Sequence, residues 1–328
     1  MLCRMKTYSV AHTALKISRL AYGCMRLGGT WDDAPLTPTD RARARRAIET
    51  ALSHGINFFD HADIYYRGKT EIVFADALRE LGVPRASVIL QSKCGIRLAD
   101  TPAPGAPTRF DFSYAYILDA VQRILERLQT EYLDLLLLHR PDALVEPEEV
   151  ARAFDALHQR GMVRHFGVSN HTAAQIQLLQ KFVSQPIVTN QVQVNLLHAD
   201  LIDDGLFFNV TPRGYKGLGG TLDYCRANAI LIQAWAPLAG GALIEPAPDA
   251  SERARAVAAL IADIAHARNT TREALALAWL LKHPAPIQPI LGTTQPERLA
   301  ACCRADEVTL SREEWYLLLQ TARGASVP

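Results

Sequence analysis

Short apolar runs alternate with longer amphipathic stretches along nearly the whole chain. Runs bounded by turn-forming residues predict strands at 20–24, 56–60, 88–93, 133–139, 165–170, 187–194, 230–237 and 288–292. Helical periodicity predicts helices at 38–54, 71–81, 113–129, 147–160, 172–182, 221–227, 251–266 and 271–282, with two more at 296–302 and 311–321 after the last strand. Thr39-Asp40, Pro147-Glu148 and Thr270-Thr271 with Glu273 supply helix start signals. Eight strands separated by helices predict βαβ units and a parallel sheet. The runs LDLLLL and SVILQS are apolar on both faces, which suits strands enclosed by a ring of helices.

Two stretches break the alternation. Residues 99–112 (ADTPAPGAPTRFDF) are too rich in Pro and Gly for a regular helix or strand, and 209–220 (NVTPRGYKGLGG) are similarly loop-like. Both follow predicted strands, where a parallel barrel builds its active-site face, so they are expected to be substrate loops. Loop 28–38 is expected to join them, and its Trp31 either lines the substrate pocket or is an exposed or loop-packing residue. Their Gly, Pro and apolar content points away from a highly charged substrate. Residues 8–19 alternate and predict a small hairpin closing the far end of the barrel. No repeat longer than the βα unit is visible, and the chain, 1–328, is read as one domain.

Composition narrows the partners. With 35 basic and 34 acidic residues, net charge +1, the chain has no basic stripe for nucleic acid and no electrostatic reason to seek a membrane surface. No window approaches the roughly 20 apolar residues of a membrane span, and MLCRMKTYSV lacks the features of a secretory signal. Six cysteines (Cys3, Cys24, Cys94, Cys225, Cys302, Cys303) show no metal-ligand spacing and are expected as reduced thiols. These readings predict a cytoplasmic protein with a small-molecule partner, no metal, and a monomer by default.

The chemistry lies where polar residues end apolar strands. FFDHADIYY delivers Asp60 and, five residues on, Tyr65; ILQSKCG delivers Lys93; LDLLLLHRPD delivers His139. Three strands thus carry ionisable groups at their C-terminal ends, where a parallel barrel places its reactive groups. A phenol titrates near roughly 10; a neighbouring ammonium lowers that value, and a carboxylate keeps the ammonium charged. A histidine beside the hydroxyl orients a substrate oxygen. The set describes Tyr65 as an acid/base tuned for a carbonyl oxygen, with hydride supplied by a cofactor. One His and one Asp are too few for a metal. Arg140 and Asp142 are expected to pair structurally, and His54, His61, His158, His165 and His171 to lie on the surface or behind the site with no assigned role.

At these residues the sequence resembles the aldo-keto reductase superfamily, over nearly its whole length. INFFDHADIYYRGKTE is similar to the segment carrying that family's Asp and catalytic Tyr, QSKCG to its Lys segment and LLLLHRPD to its His segment. The resemblance implies a (β/α)8 barrel with the tetrad Asp60, Tyr65, Lys93 and His139. VRHFGVSN and TNQVQVN resemble the strands whose Ser169, Asn170 and Gln191 hold the nicotinamide carboxamide. AWAPLAGG resembles the segment that stacks an aromatic, here Trp235, on the nicotinamide, with Pro237, Leu238 and Gly240 along the pyrophosphate. PILGTTQPERL resembles the adenosine-phosphate end, implying roles for Gly292, Thr293, Thr294 and Arg298, and YGCMRLGG the first strand with Gly23, Cys24 and Met25 at the cofactor.

The implied activity is NADPH-dependent reduction of a small aldehyde or ketone, with Tyr65 as the acid. The chain departs from the family in three places: Trp235 stands for the commoner Tyr, Tyr66 for the usual Gly, and Ala300-Ala301 follow Leu299 where many members carry Glu-Asn near the arginine. NADPH preference therefore rests on Arg298, whose guanidinium suits a 2'-phosphate, and NADH stays open. Tyr66 is an alternative acid, though the spacing from Asp60 favours Tyr65, and Trp235 is an alternative packing residue. Competing functions are a non-catalytic NADPH-binding regulatory barrel and a Schiff-base aldolase using Lys93.

Overall fold

The computed structural model describes residues 5–207 and 217–328. An antiparallel hairpin, β1 (Thr7–Ser9) and β2 (Lys16–Ser18), precedes the barrel. The remaining strands are β3 (Ala21–Gly23), β4 (Phe58–Asp60), β5 (Ile89–Cys94), β6 (Ile96–Arg97), β7 (Arg109–Phe110), β8 (Leu133–Leu138), β9 (Val163–Ser169), β10 (Ile187–Gln193), β11 (Leu231–Trp235) and β12 (Ile287–Leu291). Eight of them close a parallel barrel in the order β3-β4-β5-β8-β9-β10-β11-β12, and these are the eight expected from the sequence. The helices are α1 (Pro38–Ser53), α2 (Lys69–Glu80), α3 (Tyr114–Leu128), α4 (Pro147–Gln159), α5 (Ala173–Gln180), α6 (Asp200–Asp203), α7 (Thr221–Ala227), α8 (Glu252–Ala267), α9 (Arg272–Lys282), α10 (Pro296–Cys303) and α11 (Arg312–Arg323).

Local chemistry sets most boundaries. Thr37 with Asp40, Thr172 with Gln175 and Ser311 with Glu314 form capping boxes, so both orphan donors at each helix start are satisfied. Helix α1 starts at 38 as predicted, but its cap is Thr37, two residues before the signal read at Thr39-Asp40, with Pro38 in the first helical position. Two apolar cores result. The larger lies between strands and helices; the smaller fills the bottom of the barrel with Ala21, Phe58, Ile89, Leu135, Val188, Leu231 and Ile290, capped by Ile17 of the hairpin. The N-terminal hairpin thus plugs the barrel by burying an isoleucine, and the chemistry must lie at the opposite mouth.

Two expectations need correction. Residues 109–110 do form a strand: β7 pairs with β6, because the prolines and Gly105 end before Arg109 and leave its backbone free to donate. Loops 28–38 and 99–112 contribute nothing to the wall of the main cleft, and of the two roles open to Trp31 the packing one is seen, on Tyr66 with ring centroids 4.8 Å apart. The 209–220 loop lies outside the described residues except for 217–220, and so does Cys3. The other five cysteines are buried free thiols. Among the described residues no helix is long and apolar enough to cross a membrane, and no group of three or more His, Cys, Asp or Glu is placed to hold a metal ion.

Candidate active site

Asp60 ends β4, Lys93 lies on the fully buried β5, and His139 follows β8, with its backbone N–H donating to the Cys94 carbonyl at 2.9 Å. The barrel brings these strand ends together beneath Tyr65. The Lys93 ammonium is fully buried and donates to Asp60 Oδ2 at 2.8 Å, to the His61 carbonyl at 2.7 Å and to the Tyr65 hydroxyl at 3.2 Å, which occupies all three N–H groups. Burial alone would lower its pKa, but Asp60 and Tyr65 outweigh burial and raise it, so the ammonium stays charged. The His139 ring meets that of Tyr65 edge to face, centroids 5.8 Å apart. Burial, helped by Lys93 and Arg140, holds His139 well below the usual range, so its imidazole is neutral.

The direction for Tyr65 corrects the expectation from its neighbours. Burial raises the phenol above its ordinary value despite the opposing pull of Lys93, because the phenolate would lose its hydration while Asp60 offsets part of the ammonium's field. Tyr65 therefore rests as a protonated phenol whose oxygen is held by a cation. Tyr66 lies apart from this charge chain. Its φ of 47° and that of Arg67, 55°, are left-handed, which costs side-chain-bearing residues energy and turns the Tyr66 ring away onto Trp31. Gly28 makes room for it, since a Cβ there would lie 2.5 Å from the Cβ of Tyr66.

Below the tetrad runs a polar layer that no motif announces. Asp60 Oδ1 accepts from Gln91 Nε2 at 2.6 Å and Gln191 Nε2 at 3.0 Å. Both glutamines also donate to Gln233, which donates to Gln288, which donates to the Ser18 carbonyl in the hairpin. Gln191, Gln233 and Gln288 face one another in register, as do Asp60 and Gln91, so one level of the barrel is amide instead of hydrocarbon. A buried carboxylate requires such donors. The missed signal was glutamine at buried interior positions of three strands, β5, β11 and β12.

Gln191 thus commits its amino group inward, while its oxygen has no donor among the described residues. Ser169 Oγ donates to the Gln191 carbonyl at 2.8 Å. Asn170, at φ 62°, donates through Nδ2 to Ser169 Oγ at 2.8 Å and accepts through Oδ1 from Trp235 Nε1 at 3.0 Å. The indole is thereby locked to the amide cluster.

These groups line a cleft of about 730 Å3. Its wall includes Gly23, Met25, Asp60, Tyr65, His139, Ser169, Asn170, Gln191, Trp235, Pro237, Leu238, Gly240, Gly292, Thr293 and Arg298. Three expected residues do not line it. Lys93 lies behind Tyr65 and Asp60, Thr294 is off the wall, and Cys24 is fully buried with its thiol turned to the Tyr22 carbonyl. Tyr22 in turn donates to the Thr293 carbonyl at 3.1 Å, tying β3 to the loop after β12. Residues the sequence reading did not assign to the cleft also line it, notably Arg140, Glu245 and Glu273. The expected Arg140–Asp142 pair does not form: both oxygens of Asp142 are taken by backbone N–H groups, Oδ2 by Phe112 and Oδ1 by Leu144, and Arg140 faces the cleft. His61 and His171 are buried, with pKa values lowered to about 3 and about 4 by burial.

The donors and shape suit a nicotinamide dinucleotide. A Cβ built on Gly292 meets nothing within 4 Å, so protein packing leaves free space at that point of the cleft wall. Gly240 and Gly241, both at positive φ, also border open space. Arg298 stands at the far end, paired with Glu245 at 3.2 Å.

Comparison with known proteins agrees with this reading of the barrel. The profile of the Aldo/keto reductase family matches residues 19–321. The uncharacterized oxidoreductase YcsN of Bacillus subtilis is 34% identical over 317 residues, 96% of this chain and 97% of that one. The 6-dehydroglucose reductase of Agrobacterium fabrum is 33% identical over 314 residues, 95% and 97% of the two chains. Among solved structures, the holo form of aldo-keto reductase AKR11C1 from Bacillus halodurans superposes with a TM-score of 0.76 at 25% identity, covering 98% of both chains.

Proposed function

The chain belongs to the aldo/keto reductase family and is an NAD(P)H-dependent oxidoreductase acting on small carbonyl compounds, and from that premise we propose that it reduces an aldehyde or ketone with NADPH, using Tyr65 as the proton donor. The observation that carries this reading is the closed chain Asp60–Lys93–Tyr65, fully assembled beneath the cleft. Bound in that cleft, the nicotinamide supplies hydride to the carbonyl carbon. Tyr65 gives its proton to the carbonyl oxygen as charge develops there, and Lys93, 3.2 Å away, stabilises the phenolate left behind. Asp60 keeps Lys93 charged and in place. Neutral His139 offers a ring nitrogen to the same oxygen and fixes its approach to Tyr65.

In this reading Ser169, Asn170 and Gln191 hold the carboxamide, and Trp235 stacks on the nicotinamide with its indole N–H tied to Asn170. Gly23, Met25, Pro237, Leu238 and Gly240 border the ribose and pyrophosphate; Gly292, Thr293 and Arg298 take the adenosine phosphate. Residues 1–328 work as a single domain. A non-catalytic barrel gains no support, since such a protein has no need of a buried Lys93 aimed at Tyr65. Replacing Tyr65 with Phe is expected to lower kcat by about 10²–10⁴-fold, while NADPH still quenches Trp fluorescence. Turnover near that of the parent protein would refute Tyr65 as the acid, and equal affinity for NADPH and NADH would refute the cofactor preference.

A further inference from the structure

One cation in the cleft is accounted for neither by the catalytic chain nor by the cofactor contacts. Arg140 follows His139 directly on the loop after β8, is partly buried, and lines the cleft beside Tyr65, His139, Asn170 and Trp235. Its guanidinium carbon lies 5.7 Å from the centroid of the Trp235 ring, which holds it over the mouth of the barrel. Among the described residues it has no hydrogen bond and no carboxylate at ion-pair distance, and its neighbour Asp142 is taken by backbone N–H groups. The other charges of the cleft fall differently. Asp60 is paired with Lys93, and Arg298 with Glu245. Glu273 perturbs Cys302 of α10, which is the helix of Arg298, and so belongs to the far end. Arg26, exposed on the loop after β3, adds another positive charge to the wall without a carboxylate partner among the described residues. The catalytic end therefore presents uncompensated positive charge next to the proton donor.

A partly desolvated guanidinium with no partner is unfavourable unless something completes it, and its planar fork matches the two oxygens of a carboxylate. We infer that Arg140 anchors a carboxylate on the substrate, and that the preferred substrates are carbonyl compounds bearing that group. The inference rests on the proposed function and deepens it by naming the substrate class. It runs against the apolar composition of loops 28–38 and 99–112, but those loops do not form the wall that Arg140 forms.

The test compares 3- and 4-carboxybenzaldehyde with 3- and 4-methylbenzaldehyde, under NADPH at low ionic strength. The parent protein is expected to favour the better acid over its methyl counterpart in kcat/KM by about tenfold or more, the scale of one charge-assisted hydrogen bond. That ratio should fall as salt screens the pair. Arg140→Gln should bring the ratio down by about tenfold, and Arg140→Lys should restore part of it through charge without the fork. A parent protein that reduces the aldehydes with no preference for the acids overturns the inference and leaves the proposed function standing. A ratio unchanged by Arg140→Gln, with NADPH affinity weakened instead, assigns the guanidinium to the cofactor and also overturns it. Failure to reduce any of the four overturns the proposed function and this inference with it.

Discussion

Lys93 offers the most discriminating test of the buried charge chain. Lys93→Met removes the donors to Asp60, the His61 carbonyl and Tyr65 together, and leaves the Asp60 carboxylate with only Gln91 and Gln191. At an effective dielectric of about 20, unit charges 2.8 Å apart attract by about 6 kcal/mol. Against this stands a desolvation cost of several kcal/mol for each ion, so the intact pair adds little net stability over two neutral groups. Removing one partner keeps the cost and discards the attraction, and the expected loss is about 3–5 kcal/mol. Asp60→Asn combined with Lys93→Met removes both charges while a carboxamide oxygen still accepts from the two glutamines. The double variant should therefore recover at least about 2 kcal/mol relative to Lys93→Met, a coupling measurable by urea unfolding followed by circular dichroism. Both variants should be inactive in carbonyl reduction, so stability and turnover separate. A loss below about 1 kcal/mol in the single variant, or a double variant less stable than the single, would refute the idea that charge pairing, and not packing, governs this core.

Glu245 and Arg298 are both about half or more exposed, so their pair is weak, and under the proposed function a 2'-phosphate would displace it at small cost. Glu245→Gln should tighten NADPH binding roughly two- to fivefold and leave NADH nearly as before in a fluorescence titration; parallel changes in both would refute it. Asp63, behind the tetrad, has its pKa raised to about 7 by burial, with Glu71 adding to the shift and Arg127 opposing it. A raised folded-state pKa means that the stability it contributes is complete below about pH 4 and is lost as pH rises through about 7. Asp63→Asn mimics the protonated form, so it should raise the melting temperature at pH 8 and by roughly a third as much at pH 5; an equal effect at both values would show that ionisation is not the cause.

The fold and the members of the buried charge chain were both legible in the sequence itself. Eight apolar runs with intervening helical periods determine the barrel, because strand and helix periods differ and each must bury its own face. Asp60, Lys93 and His139 stand out because an ionisable residue ending an apolar run is costly unless it is used, and in a parallel barrel all such ends share one mouth. Pairings across the mouth are another matter. That Gln91, Gln191, Gln233 and Gln288 join into one level below Asp60 depends on the register of β5, β10, β11 and β12, which no single strand encodes. The rise in the pKa of Tyr65 needs the full extent of burial, which is a property of every surrounding side chain at once. Arg140 beside Asp142 invites a local pair, and only the tertiary structure turns the guanidinium onto Trp235, from a strand 95 residues on, because Asp142 is claimed first by the backbone of its own loop. Sequence determines which groups arrive at the mouth of the barrel; their partners are decided by distances that exist only once it closes.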